Sequence, residues 1–286
     1  MDFTLHTARR EEAAVVHGVI TSEGWPIRLP SVEAIMAWDP EAYLIARNGA
    51  GEPVGVIFGL GPSYGRTGWL GHLVVKPECR GGGVGKALFG AALARLRKLG
   101  RNPVYLTATA MGAPIYAKFG FVEDGFWSRW QGIAAPERVA AEAKGGCAVR
   151  EMTEADLARV AAFDAVRFGD DRSVQLRDLF RAYPGAGRVA ERPGGELAGY
   201  LLRGTDGLGP FVADPEAAAP LFHSALALFA GGPVYFSFPD GNPRAAGLCR
   251  AAGLAPVDRK WLRMRLGDDP TPPDDATLFN ASVAKG

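Results

Sequence analysis

Seven consecutive residues, Arg80-Gly81-Gly82-Gly83-Val84-Gly85-Lys86, carry the strongest chemical signal in the sequence. Glycine reaches backbone angles that other residues resist, so successive N–H groups can converge on one concave space. Where such a turn opens a helix, the unpaired N–H groups of the first turn and the positive end of the dipole point into the same space. That arrangement suits the holding of a diphosphate, with Arg80 and Lys86 adding positive charge beside it. Two phosphate loops of known pattern do not fit. A Walker A loop is G-x-x-x-x-G-K-[ST], but three residues separate Gly81 from Gly85 and Ala87 stands where the magnesium-binding hydroxyl belongs. A dinucleotide fingerprint, G-x-G-x-x-G, meets Lys86 or Leu88 at its third glycine.

Other reactive side chains have less context. Cys79, Cys147 and Cys249 are far apart and form no CxxC or Cys/His pattern, so neither a disulfide framework nor a zinc site is expected, and no metal. Cys79 has no identifiable histidine and carboxylate partners, and its place beside the glycine turn accounts for it without nucleophilic chemistry. His72 has a titration range suited to a base that relieves an amine of its proton. It can equally be a buried, hydrogen-bonded strand histidine, and a water chain would serve as base as well. Trp25, in Glu23-Gly24-Trp25, can line a pocket or anchor its loop. Tyr43, Trp69 and Trp127 read as core or pocket-wall aromatics.

The elements that must position these residues follow from periodicity. A strand over Phe3–Thr7 leads to a helix over Arg10–Ile20, a loop containing Glu23 to Pro26, and a helix over Ser31–Ala37 opened by Ser31. Ala42–Asn48 and Pro53–Leu60 read as a hairpin turning at Gly49 to Glu52. Trp69–Val75 is the strand that delivers the glycine turn, and Gly85–Leu99 is the helix after it, ended by Gly100. Val104–Thr107, a short helix over Ala113–Phe119 and a strand over Phe126–Trp130 complete this half.

The pattern then starts again. CAVREMTEADLARVAAF resembles FTLHTARREEAAVVHGV, and GRVAERPGGELAGYLLRG resembles AYLIARNGAGEPVGVIFGL. PVYFSFPDGNPRAAGLCRAAGL resembles PVYLTATAMGAPIYAKFGF. An internal duplication of one α/β unit is the reading. We expect a first domain at residues 1–135, a linker at 136–146 and a second domain at 147–286. Where the first copy has VVKPECRGGGVGKAL, the second has PFVADPEAAAPLF, without the glycines or the arginine. The tail from Gly267 is rich in Pro and Asp and reads as a loop, and the closing LFNASVAKG is apolar enough to dock as a last strand.

Arg80, Gly83 and Gly85 match R/Q-x-x-G-x-G/A, and the whole turn with its approach Val75-Lys76-Pro77-Glu78-Cys79 resembles motif A of the GNAT superfamily of acyltransferases. Ile115-Tyr116-Ala117-Lys118-Phe119-Gly120-Phe121 resembles that family's motif B, Y-x-x-x-G-F. The likeness covers residues 3 to 130, and the second half resembles the degenerate C-terminal domain of tandem GNAT proteins. The resemblance implies an α/β fold with mixed sheets, two tandem domains each a mostly antiparallel twisted sheet flanked by helices. It implies that residues 80–86, including Gly81, Gly82 and Val84, grip the diphosphate of acetyl-CoA or another acyl-CoA. It implies that the edge of the fourth strand, Leu73, Val74 and Val75, hydrogen-bonds the pantetheine arm. Tyr116 would protonate the departing thiolate, a task suited to a phenol whose acidity lies near that of an alkyl thiol. A core tyrosine packing its short helix is the other reading. Trp25 and His72 would border the amine acceptor. The expected reaction is direct acyl transfer to a primary amine, a small molecule or peptide. The alternative is an acyl-CoA sensor that has kept the grip and lost turnover.

Composition agrees with such a protein. Apolar residues make up 48% of the 286 and charged residues 22%, the profile of a globular chain with a sizeable core. With 32 Lys plus Arg against 31 Asp plus Glu, no electrostatic case for nucleic acid arises. No apolar run is long enough for a membrane span, and the charged N-terminus does not read as a secretion signal. A cytoplasmic protein is expected, and a homodimer is compatible with it.

Overall fold

In the computed structural model, residues 2–140, 146–204, 207–268 and 277–279 are described. The chain forms two compact units, one built on Met1–Asp124 with Arg263–Asp269, the other on Gly125–Leu262 with the strand Thr277–Phe279. Among the described residues no helix is long and apolar enough to cross a membrane.

The first unit runs β1 (Phe3–Thr7), α1 (Ala13–Thr21), α2 (Leu29–Trp38), β2 (Tyr43–Asn48), β3 (Pro53–Leu60), β4 (Gly68–Val75), α3 (Val84–Lys98), β5 (Val104–Ala108) and α4 (Ala113–Ala117). The strands pair in chain order, antiparallel from β1 to β4 and parallel between β4 and β5. The turn between β2 and β3 forms where expected, because Asn48 Oδ1 accepts from the N–H groups of Ala50 (3.1 Å) and Glu52 (2.9 Å). Two helix starts differ from expectation. The first turn of the Arg10 segment is a 3-10 turn over Arg10–Glu12, held by Glu12 folding back onto the Arg9 N–H at 3.0 Å. Helix α2 begins at Leu29 rather than Ser31, since Pro30 fits the first turn, where its missing N–H leaves nothing unpaired.

Helix α3 covers the sheet through Leu88, Ala92, Leu93 and Leu96, all buried. Its Arg95 forms two bonds to the Asp39 carboxylate, 2.7 and 2.9 Å, and donates to the Gly59 carbonyl at 2.9 Å. Asp39 is almost fully buried, so the pair fastens the long helix to the end of α2. The helix stops at Gly100, in the left-handed conformation its position requires.

The second unit contains most of β6 (Val122–Ile133), then β7 (Ala148–Glu151), α5 (Leu157–Phe168), α6 (Ser173–Ala182), β8 (Arg188–Glu191), β9 (Leu197–Gly204), β10 (Gly207–Ala213), α7 (Pro215–Ala227), β11 (Pro233–Pro239), α8 (Pro243–Ala251) and β12 (Ala255–Pro256). Strand β13 (Trp261–Leu266), whose residues from Arg263 on belong to the first unit, lies next to β5 in the sheet order, and β14 (Thr277–Phe279) is the last described strand. One sheet of this unit has the order β14-β10-β9-β8-β7. The strand expected at Phe126–Trp130 is longer than its pattern, because its ladder with β11 extends from Trp127↔Pro239 to Ile133↔Pro233. The segment read as a connector carries a 3-10 turn over Pro136–Val139. Its Val139, with Ala134 just before it, is buried among Leu221, Phe222 and Phe236, so apolar burial recruits it to this unit's core. Residues 141–145 of that connector, most of the Pro- and Asp-rich tail and the end of LFNASVAKG lie outside the described residues.

The duplication is visible in packing. Gly55 on β3 and Gly199 on β9 hold matching places. A Cβ on Gly55 would lie 3.1 Å from Leu88 of α3, and one on Gly199 would lie 2.8 Å from Leu221 of α7.

Candidate active site

Strands β4 and β5 pair at Gly68↔Val104, Trp69↔Tyr105 and Leu70↔Leu106. The ladder stops there, although β4 continues to Val75 and β5 to Ala108. On the other edge of β4 the register with β3 shifts between Val56 and Phe58, so that His72 and Leu73 together face Ile57. This is a β-bulge, which bends its strand. His72 takes φ of 51°, the one positive value for a non-glycine among the described residues. Gly71 is required beside it, since a Cβ there would lie 2.5 Å from the Phe58 ring. The bent strand leaves Leu73, Val74 and Val75 along an edge that β5 does not pair, which suits an extended ligand with amide groups.

From Val75 the chain passes through a 3-10 turn, Pro77–Cys79, that buries Cys79. Gly81 and Gly83 follow with φ of 81° and 83°, and Gly83 caps α3. Residues 80–83 and Lys86 are exposed, and the first turn of α3 has no acidic residue. Gly82 and Gly85 lie between, with Val84 turned into the core. The helix therefore presents free N–H groups and positive potential to solvent, next to two basic side chains. Arg80 Nε donates to the Val75 carbonyl at 2.9 Å, and its guanidinium pairs with Glu23.

Tyr116 sits on α4, which Thr109 starts by accepting the Gly112 N–H at 3.1 Å. The ring stacks on Phe89 of α3 with centroids 4.8 Å apart. It is thus both a packing residue and a phenol placed against the helix that follows the glycine turn. Burial pushes its pKa up to about 12, away from the roughly 8.5 of an alkyl thiol. The close match of acidities expected from free phenol is absent, and the group keeps its proton throughout the neutral range.

The structure brings His72 and Trp25 together. Their rings meet edge to face at 6.4 Å, and His72 is buried, with Nδ1 2.7 Å from Tyr43 Oη and its ring edge-on to Phe58 at 4.9 Å. The loop carrying Trp25 is pinned by His17, whose Nε2 donates to the Ile27 carbonyl at 2.9 Å. Sequence reasoning missed Glu23 as the partner of Arg80, and Phe58 as a wall of the histidine site. Glu23 stands beside Trp25 in a loop already marked, but no local pattern ties residue 23 to residue 80. Among the described residues no group of three or more His, Cys, Asp or Glu is placed to hold a metal ion.

Among the described residues, the second unit lacks this arrangement. Only Asp214 separates β10 from α7. Its carboxylate pairs with Arg167 at 2.9 Å and Arg192 at 2.7 Å, and Glu216 in the first turn pairs with Arg192 at 2.7 Å. Strand β14 pairs with β10 at Phe211↔Phe279.

Profiles described as acetyltransferase (GNAT) domain match residues 7–135 and again residues 160–280. No curated protein matches the chain. Among solved structures it is similar to a provisionally named acetyltransferase of Pyrococcus horikoshii, at 23% identity and TM-score 0.82, over 99% of this chain and 96% of that one. It is similar to the glucosamine N-acetyltransferase region of a fungal multi-domain β-N-acetylglucosaminidase, at 15% identity and TM-score 0.70, over 92% of this chain and 38% of the other. A tandem GNAT protein from the clavulanic acid biosynthesis pathway aligns at 17% identity and TM-score 0.66, over 94% of this chain and all of its own. At these identities the likeness is one of fold.

Proposed function

From the premise that this chain belongs to the GNAT acetyltransferases, with two such domains in tandem, we propose that its first domain is an acyl-CoA-dependent N-acyltransferase. Acetyl is the default acyl group and a primary amine the acceptor. The observation that carries this reading is the bent β4, parted from β5 beyond Leu70 and leading straight into a glycine turn with exposed N–H groups. An extended pantetheine arm fits the strand edge and a diphosphate fits the turn, and the two are consecutive in the chain as they are in CoA.

In this reading the N–H groups from Gly81 to Gly85, with Arg80 and Lys86, hold the diphosphate. Leu73 to Val75 align the pantetheine amides, and a β4 N–H polarises the thioester carbonyl. The acceptor amine, having passed its proton to water or to His72, attacks the carbonyl carbon, and a C–N bond forms. The tetrahedral intermediate collapses with loss of the C–S bond, and the sulfur leaves with its electron pair. Tyr116, protonated throughout the neutral range, donates its proton as negative charge develops on sulfur. The phenolate then recovers a proton from the acceptor nitrogen through solvent. No covalent enzyme intermediate is needed.

Free thiols at Cys79, Cys147 and Cys249 agree with a cytoplasmic setting. The second unit is read as non-catalytic. Calorimetry with CoA on the wild type and Gly83→Glu tests the grip. Thiol release from acetyl-CoA across an amine panel, with Tyr116→Phe alongside, tests turnover. CoA binding without thiol release from any amine would leave a sensor instead of an enzyme.

A further inference from the structure

Arg80, at the head of the glycine turn, is already paired with a carboxylate, and that carboxylate comes from the loop that carries Trp25. Glu23 pairs with Arg80, while two residues further on Trp25 meets His72. One carboxylate therefore connects the turn read as the diphosphate site to the loop read as the acceptor site. The pair is accessible, with 41% of the Arg80 side chain and 21% of that of Glu23 exposed. Ion pairs this open are weak and exchange their partners readily. A diphosphate arriving at Gly81 to Gly85 brings two negative charges beside the same guanidinium, and like charges at that range repel. The guanidinium keeps its anchor on the Val75 carbonyl, so the carboxylate is the group that moves.

Resting on the acyl-CoA reading, we infer that Glu23 stands in for the diphosphate before acyl-CoA binds and, once displaced, becomes the carboxylate that receives the acceptor's ammonium. The two substrates then help each other. Acyl-CoA frees a negative charge beside Trp25 and His72, and a cation there discourages Glu23 from returning to Arg80. Linkage makes this aid reciprocal. The acceptor class follows: an alkyl monoamine or polyamine is favoured over an amino acid, whose own carboxylate would face Glu23.

The test compares wild type, Glu23→Gln, Arg80→Gln and the double variant by calorimetry with CoA. Glu23→Gln should bind CoA about two- to fivefold more tightly at low salt, with the gain shrinking as salt rises and vanishing in the Arg80→Gln background. With acetyl-CoA saturating, Glu23→Gln should raise the KM for propylamine by about fivefold, with a smaller change in kcat, and leave that for glycine no worse. If Glu23→Gln binds CoA no more tightly than wild type, the exchange is overturned. If wild type acetylates other amines but the propylamine KM does not move, or propylamine is inert, the acceptor half is overturned. A wild type with no affinity for CoA would instead overturn the acyl-CoA reading beneath it. Each outcome is distinct from the others.

Discussion

Two helices in this molecule begin at the same point of a repeated unit and end up with opposite chemistry. Helix α3 is reached through residues 76–83, with exposed glycines at 81–83 and no acid in its first turn. Helix α7 is reached through Asp214 alone, and its first turn is filled by Asp214 and Glu216, held by Arg167 and Arg192. Both N-termini attract negative charge for the same physical reason. In the second unit the chain places its own carboxylates in the first turn, whereas in the first unit that turn carries none and Glu23 is held beside it on Arg80. The strand edges differ in the same way. β4 runs on without β5 beyond Leu70, whereas β10 carries β14. On the proposed reading, a helix N-terminus is made ready for a ligand by what the chain leaves out, as much as by what it provides.

The contrast extends inside the units. The first pairs a buried Asp39 with a partly exposed Arg95, whereas the second buries both partners, Asp164 with Arg172 at 2.8 Å, with the Tyr200 hydroxyl donating to the same carboxylate. Asp164→Ala should break the comparison most severely, because it leaves a buried guanidinium without its anion. A loss of about 3–5 kcal/mol is expected, read as early unfolding of the second unit in denaturant. CoA affinity of the protein that remains folded should not change if that unit takes no part in binding.

Next in size is Gly83→Glu, which imitates the acidic second copy in the first. It places a carboxylate where φ is 83° and potential is positive, and should weaken CoA binding by about two orders of magnitude. Unchanged affinity would end the diphosphate assignment. Tyr116→Phe should lower kcat by about a hundredfold and leave CoA affinity near wild type, since the ring still stacks on Phe89. Loss of the phenolic proton inactivates this group as an acid. With its pKa at about 12, it should contribute no alkaline fall to the rate profile until pH approaches that value.

Gly71→Ala sharpens the role of the bulge. Its methyl group meets Phe58, so a loss of about 1–3 kcal/mol is expected, with a rise in acceptor KM as His72 is displaced. The smallest effect concerns a feature the units share. Glu12 and Asp156 each fold back to start a helix, and each is held by arginine, Arg47 at 2.7 Å and Arg150 at 2.7 Å. Bonds from the Arg9 N–H and from Arg47 lower the Glu12 pKa to about 2. Its folded value is depressed, so its stabilisation is complete above pH 4.5 and is lost as pH falls through about 2. Glu12→Gln should cost about 1 kcal/mol at neutral pH and little at pH near 2, in acid-dependent melting.

By itself the sequence determined the repeat, the glycine turn between a strand and a helix, and the hairpin at Asn48, because each depends on backbone preferences within a few residues. Phe3–Thr7 and Pro53–Leu60 were legible to the residue for that reason. Only tertiary structure decided the rest. The bulge at His72 exists because Gly71 admits the Phe58 ring, and the length of β6 follows from its ladder with β11. The acidity of Tyr116 is set by the rings and helix that exclude water from it. The Glu23–Arg80 pair joins positions far apart in the chain. Local patterns specify angles and periodicity, whereas burial, proximity and charge pairing arise between distant residues and come into being when the chain packs.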